Sequence, residues 1–388
     1  MNLFITIKKI LRWRRKDSQI FSFASKMIWS ADRLNEKPKG NEKLRYLKID
    51  NVILKGRTRY IFQGQKVSFN SSFSANESIA KYQNYFMQEE LLGLVRYNPK
   101  LKIINSNINL CKWRMNGAWI SLLHASSENW MHFISEILPS FLRLKTILGT
   151  KKYSILVDES MPTNGLKLIQ LLSNNIPIIF VPHGTNLFLK NLYVLKEKTD
   201  RYSAFWPRKN NNVKRLGQFS FDPVALVEAR NEILKIYSIK PNKKKKVYIE
   251  RKSNFRHVKN QQDIMDVIIS SNFEVHLIEP STSLESQVCL FSEISCLITQ
   301  AGAVLANMIF MPKGSIVICF VADNKYVNLK YFKEYAEIFK INLIYIKGKV
   351  INPDSLDPDK IFTTNHPMNA EFEVNIKLLK NALKKYVQ

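Results

Sequence analysis

The chain has 388 residues, 45% hydrophobic and 23% charged, with 59 Lys+Arg against 32 Asp+Glu for a net charge of +27. That apolar content with mixed charge excludes a disordered chain, twelve glycines exclude a fibre, and four scattered cysteines exclude a disulfide scaffold. The charge surplus implies an anionic partner, whether nucleic acid, anionic lipid or a phosphorylated substrate.

Residues 1–60 carry sixteen Lys/Arg and five Asp/Glu, a surplus of +11. Within them Leu3, Ile7, Ile10 and Leu11 share one helical face, while Lys8, Lys9, Arg12, Arg15 and Lys16 crowd the rest. The pattern predicts a short basic amphipathic helix over 1–16, suited to an anionic membrane surface or to docking on its own protein. Residues 1–40 are set apart as this basic segment. MNLFITIKKILRWRRK lacks the apolar core and cleavage site of a signal peptide, and no stretch has the length of a membrane span. The chain is therefore expected in the cytoplasm, peripheral at the inner face of the cell membrane. Cys111, Cys289, Cys296 and Cys319 have no metal-ligand spacing and read as buried thiols of a reducing compartment.

Residues 44–70 alternate like short antiparallel strands, and a helix is predicted near 75–96. GAWISLL (117–123) reads as a buried strand, followed by the loop HASSE and a helix from about Asn129 to Leu148. YSILV (153–157) and IPIIFVP (176–182) are further strands, separated by the helical GLKLIQLL. A helix near 223–237 and the basic turn KPNKKKK (240–246) look like an interdomain connection, so the first domain is placed at 41–238 and the second at 239–388. Beyond it, KVYIE, FEVHLIE, SCLITQ, SIVICF and NLIYIK are short apolar strands. Helices at about 260–271, 283–293, 302–311 and 327–340 separate them, which predicts a parallel Rossmann-like sheet. A last helix, 371–386, is expected to cross back.

In such sheets ligands bind beyond the carboxyl ends of the strands. Those ends hold Arg251 with Arg256, Glu279 with Ser281, Gln300 with Gly302, and Asp323. Arginines there, before a helix that Asn260 can enter, suit a diphosphate. Gly302 opens LITQAGAVLANMIFM without forming GxGxxG or GxxxxGK[ST], which argues against a dinucleotide or P-loop site. In the first half, Trp130, Ile134, Ile137, Phe141, Leu144 and Leu148 repeat at helical spacing as a core face. Asn129, His132, Glu136, Ser140 and Arg143 form the opposite stripe. His132 and Glu136 are i, i+4 neighbours that either pair for proton transfer or form an ordinary solvent-facing ion pair. Pro139 should bend the helix one turn past Glu136.

The succession NWMHFISEILP, RKSNFRHVKNQ and SLESQVCLFSEISCLITQAGAVLANMIFMPKGS resembles glycosyltransferase family 61, including bacterial capsular polysaccharide biosynthesis members. Its motifs, H-F-x-x-[DE]-x-L-P, R-x(4)-R-x-x-x-N-E, E-Q-x-x-x-F and H-G-A-x-x-x-N-x-x-F, fall on His132, Glu136, Arg251, Arg256, Asn260, Glu285, Gln287, Gly302, Ala303, Asn307 and Phe310. Gln261 stands where the family has glutamate, and Ala301 where it often has histidine. The resemblance covers about residues 117–320. It implies an α/β protein with a GT-B-like arrangement of two Rossmann-like domains facing across a cleft. It further implies an inverting transfer of a sugar from a nucleotide donor to a growing surface glycan or lipid-linked glycan, without metal or other cofactor. Arg251, Arg256, Asn260, Glu285, Gln287, Gln300, Gly302, Ala303 and Asn307 are then expected around the donor. Glu136, oriented by His132, is expected to deprotonate the acceptor, with His124 and more weakly His183 as other candidate bases. Two rivals remain: a catalytically silent nucleotide-sugar-binding scaffold, raised by Ala301, and a nucleic-acid-binding protein, which would lack any recognisable binding signature.

Overall fold

A computed structural model describes residues 19–23, 45–63, 66–69, 85–87, 92–98, 103–106, 111–196, 205–207, 221–253, 255–324, 329–357, 360 and 363–387. The helix expected over 1–16 lies outside them. The chain divides into two units, Met1–Ser220 and Phe221–Gln388.

The first unit is built on strands. β1 (Gln19–Phe23), β2 (Arg45–Lys55), β3 (Tyr60–Gln63), β4 (Lys66–Phe69), β5 (Tyr85–Met87), β6 (Arg96–Asn98), β7 (Ile103–Ser106) and β8 (Cys111–Ser121) precede the long helix. After it come β9 (Ser154–Asp158), β10 (Ile178–Val181), β11 (Asn186–Lys196) and β12 (Phe205–Pro207). β5 and β12 pair with each other, and the rest form one sheet in the order β10-β9-β8-β11-β2-β3-β4-β1-β7-β6. β10, β9, β8 and β11 are parallel to their neighbours in turn, whereas β2, β3 and β4 pair antiparallel as their alternation predicts. Only one end of this mixed sheet therefore has the parallel, helix-connected character expected of a Rossmann-like domain. The helix expected over 75–96 is not found where that span is described, since Tyr85–Met87 and Arg96–Asn98 are strands. Val52, Leu54, Ile61, Leu123, Leu156, Leu187, Leu189 and Leu192 make one core against the sheet. Burying such a side chain contributes about 1.5–3 kcal/mol.

The helix after β8, α1, runs through three geometries: α over Trp130–His132, a wide π turn over Phe133–Ile137, and α again over Leu138–Leu148. Asn129 caps it by accepting from the Met131 N–H at 2.9 Å. α1 is buried on nearly every side, so Glu136 and Arg143 lie inside rather than on a solvent-facing stripe. α2 (Thr163–Ser173) then leads from β9 to β10.

The second unit opens with α3 (Pro223–Ile236), so the division falls before this helix, not at 238. Phe221 packs on Tyr331 and Tyr335, and Arg230 Nη2 donates to Met311 O at 2.8 Å, tying α3 to this unit. The basic turn at 240–246 thus lies within the unit, leading into β13. β13 (Lys245–Glu250), β14 (Glu274–Leu277), β15 (Ile294–Gln300), β16 (Ile316–Ala322) and β17 (Asn342–Val350) are parallel, and β18 (Phe372–Glu373) closes the edge antiparallel. The order β14-β13-β15-β16-β17-β18 is a doubly wound sheet whose strand order reverses between β13 and β15. α4 (Gln261–Ser270), α5 (Leu284–Ser292) and α6 (Leu329–Ile338) are crossovers, while Ala303–Phe310 is a 3₁₀ helix in place of the expected α-helix. The last helix, α7 (Ile376–Tyr386), contributes Leu379, Ala382 and Leu383 to the unit's own core.

Candidate active site

Three titratable side chains meet where α1 starts. His132 Nδ1 lies 2.7 Å from Glu136 Oε1, and His124 Nε2, from the loop after β8, lies 3.2 Å from Glu136 Oε2. The rings of His124 and His132 are 5.9 Å apart. Burial alone would raise the Glu136 carboxyl, but the charge of His132 and hydrogen bonds from both histidines hold it well below the usual range. It is an ionised acceptor, so each histidine must present an N–H to it. The Ser126 N–H donates to His124 Nδ1 at 3.1 Å, which independently puts the His124 proton on Nε2. Burial lowers His124, outweighing its bond to Glu136. His132 donates through Nδ1, and its Nε2 has no bond among the described residues. Its side chain is 18% exposed against 9% for the other two.

A carboxylate with both oxygens occupied and a depressed pKa is a poor base, whereas a neutral imidazole held by a carboxylate is a good one. The geometry suits an orienting Glu136 and a proton taken at His132 Nε2, the reverse of the expected roles.

Asp158, at the end of β9, fixes the surroundings of His124 and was not singled out from the sequence. Its Oδ2 accepts from the His124 N–H at 2.8 Å and its Oδ1 from the Arg57 N–H at 2.7 Å. Burial raises it to about 7 despite these bonds. Arg57 adopts φ 60°, donates through Nη2 to Ala125 O at 3.2 Å and pairs with Glu128. Gly56 beside it must be glycine because a Cβ would lie 2.1 Å from Pro182 O. His183, in the same turn, is lowered by burial and by Arg57, but its ring joins none of the bonds of the Glu136 cluster. A charged residue closing a buried strand, as in SILVD, is the only sequence signal that could have pointed to Asp158.

In the second unit Arg251 follows β13 and Ala301 follows β15, so the two flank the reversal of strand order. Arg251 Nη1 and Arg256 Nη1 donate to the same oxygen, Ala301 O, at 3.2 and 2.8 Å. Neither has a carboxylate partner among the described residues. Burial, with Arg251 alongside, brings Arg256 down to about 10, still charged at neutral pH. Arg256 sits at φ 61°, a costly conformation for a side-chain-bearing residue, held by its N–H to Asn369 O at 2.9 Å and its Nε–H to Met368 O at 2.9 Å. His366, given no role from the sequence, accepts from the Met368 N–H at 3.2 Å and so braces that turn. Burial, then Arg256, keeps it neutral by lowering it to about 4.

The other expected donor residues divide. Gln300 is buried at the end of β15, with Gly302 and the partly exposed Ala303 beside the arginines. Asn260 turns elsewhere: its Nδ2 donates to Val374 O and its Oδ1 accepts from Val374 N–H, both at 2.9 Å, which braces the approach to α7. Gln287 and Asn307 are buried and bonded to each other at 2.9 Å, tying α5 to the 3₁₀ helix. Glu285 is exposed on α5 beside Tyr237 and Cys289. The bonds of these amides brace the fold. Gln261 Nε2 donates to Tyr248 OH at 2.8 Å, a bond in which a glutamate could accept from the hydroxyl instead. Arginines are also not the only means of compensating a diphosphate that the sequence offers, because Asp357-Pro358-Asp359 is an Asp-x-Asp triplet.

Residues 130–318 match the family described as Glycosyltransferase 61, a stretch that opens at α1 and ends within β16. The protein is a glycosyltransferase. The matched stretch of the glycosyltransferase includes His132, Glu136 and both arginines. No curated protein matches the chain.

Proposed function

We propose that the protein is an inverting, metal-independent glycosyltransferase of GT-B architecture that extends a surface glycan, such as a capsular polysaccharide, from a nucleotide-sugar donor. The observation that carries this reading is the half-buried arginine pair on one carbonyl at the reversal of strand order. Two like charges partly desolvated together, with no carboxylate partner among the described residues, call for an anion, and a diphosphate oxygen suits their fork geometry. In the transfer, His132 Nε2 removes the acceptor hydroxyl proton while the oxygen attacks the anomeric carbon opposite the departing nucleoside diphosphate. Glu136 stabilises the resulting imidazolium, and Arg251 and Arg256 compensate the charge on the leaving group. Ala301 in place of the family's histidine leaves this intact, since the arginines use its backbone carbonyl, which any residue supplies.

Metal independence rests on the arginines and on the family resemblance. Undiminished transfer in EDTA supports it, and loss restored by magnesium or manganese would assign Asp357 a role. Residues 1–16 would hold the enzyme at the cytoplasmic face of the membrane, tested by loss of co-sedimentation with anionic vesicles when they are deleted. The deciding experiment for the function is thermal stabilisation by a panel of nucleotide sugars, where a donor at a hundred times its Kd adds about 2.7 kcal/mol. Stabilisation followed by transfer supports the enzyme, binding without transfer supports a silent scaffold, and no response to any nucleotide sugar rejects both.

A further inference from the structure

Gly302 has an extended backbone, φ 173° and ψ −170°, which any residue adopts. Its conformation therefore does not call for glycine. Space does: a Cβ at this position would lie 2.1 Å from Arg251 Nη1 and 3.4 Å from Arg251 Cζ, with no other atom crowding it. The glycine's missing side chain is the seat of the guanidinium. Because Nη1 is the far end of a flexible side chain, a methyl group here displaces Arg251 without forcing the backbone apart.

We propose that Gly302 is a positioning residue that acts through Arg251. By leaving its Cβ volume empty it lets the Arg251 guanidinium lie over the Ala301–Gly302 peptide and share Ala301 O with Arg256. Arg251 reaches that carbonyl through one hydrogen bond, whereas Arg256 is held by Ala301 O, Met368 O and its own backbone N–H. Arg251 is thus the member of the pair whose direction depends on the shape of its seat. Its Nε is buried with no partner among the described residues, a donor unspent by the protein itself. The effect on ligand binding rests on the donor reading above, while the seating relation does not. This role differs from the direct place around the donor that the resemblance implies for the glycine.

The test is Gly302→Ala, Arg251→Ala and the double variant, with UDP, GDP, CDP and ADP as probes. The buried Nε–H of Arg251 should exchange slowly enough to give a ¹⁵N–¹H cross-peak, assigned by its absence in Arg251→Lys. In Gly302→Ala that cross-peak is expected to move, with the melting temperature nearly unchanged. The Kd for the nucleotide that binds should rise at least tenfold. In the Arg251→Ala background, adding Gly302→Ala should change Kd less than twofold, because nothing is left to displace. An unmoved cross-peak overturns the proposal whatever the affinities are, and also decides it if no probe binds. The same fold-loss in both backgrounds overturns it as well, returning Gly302 to direct contact with ligand. A moved cross-peak with wild-type affinity in Arg251→Ala leaves the seating relation standing and removes the donor reading.

Discussion

Glu136→Gln changes one oxygen to an NH₂ with almost no change in shape, so its effect isolates the proton inventory of the cluster. The carboxylate accepts two N–H groups, from His132 at 2.7 Å and His124 at 3.2 Å. An amide accepts on one side only. If its oxygen stays with His124, its NH₂ faces His132 Nδ1, which can accept only by moving its proton to Nε2, and the lone pair that receives the acceptor proton is lost. If its oxygen turns to His132, its NH₂ opposes the His124 Nε2–H, whose tautomer is fixed by the Ser126 N–H on Nδ1. That leaves a buried donor unpaired at a cost of about 1–3 kcal/mol. Either way the imidazolium formed during transfer loses its counter-charge. A positioned base is worth about 10²- to 10⁴-fold, which converts to roughly 2.7–5.5 kcal/mol of barrier. We expect kcat to fall within that range with the donor KM little changed, and His132→Gln to match it. Combining the two substitutions should cost little more than either alone, because they disable one unit. The assay is steady-state transfer across pH, with ¹⁵N shifts of the imidazoles reporting the tautomers. A Glu136→Gln enzyme within about fivefold of wild-type kcat refutes the reasoning.

Arg256 uses Nε on Met368 O and Nη1 on Ala301 O, so Arg256→Lys can keep one of these bonds at most, and about tenfold weaker nucleoside-diphosphate binding is expected by calorimetry. Arg256→Ala should cost roughly 2 kcal/mol, and unchanged affinity in it removes the arginines from the donor site. Asp158, raised to about 7 from 3.8, binds its proton more tightly folded than unfolded. Its contribution to stability is therefore greatest below about pH 4 and is lost as pH rises to 7, a change of about 4 kcal/mol at 1.36 kcal/mol per pH unit. Urea unfolding of wild type and Asp158→Asn at both ends of that window should differ in pH slope by that amount, and parallel curves refute the assignment.

The second unit could be read from the chain because its central strands β15 and β16 are buried on both faces and give the continuous apolar runs SCLIT and SIVICF, each followed by a helical segment. The first unit resisted for a physical reason. NLFLKNLYVLK looks like a strand once known, but nothing local says that β11 enters between β8 and β2, parallel to one and antiparallel to the other. At the site, His132 and Glu136 were found by spacing, since i, i+4 neighbours on a helix face one another. Asp158 and Arg57 are 101 residues apart and meet only through the fold. Asn260, Gln287 and Asn307 show the opposite limit of spacing. Their residue type and place in the motif suggested a ligand, but spacing does not give the direction of an amide, and these three point at the protein.

The direction of Glu136, by contrast, is written into the helix that carries it. Pro139 has no N–H to give, so the α ladder cannot run unbroken through this part of α1. The chain widens just before it, the Leu138 N–H reaching back to Phe133 O across the π turn. Two hydroxyls take up carbonyls on either side, Ser135 Oγ on Met131 O at 2.7 Å and Ser140 Oγ on Glu136 O at 2.8 Å. Per residue, a π turn rotates less than an α turn, so positions 132 and 136 stack more nearly along the axis than α geometry would place them. The short His132–Glu136 bond uses that alignment, while the second carboxylate oxygen remains turned toward His124. The order H-F-x-x-E-x-L-P is then more than a set of reactive residues at intervals. Its histidine ends the first α turn, its glutamate lies in the wide one, and its proline disrupts the ladder just beyond, so the residues proposed to perform the chemistry and the residue that shapes the helix belong to the same motif.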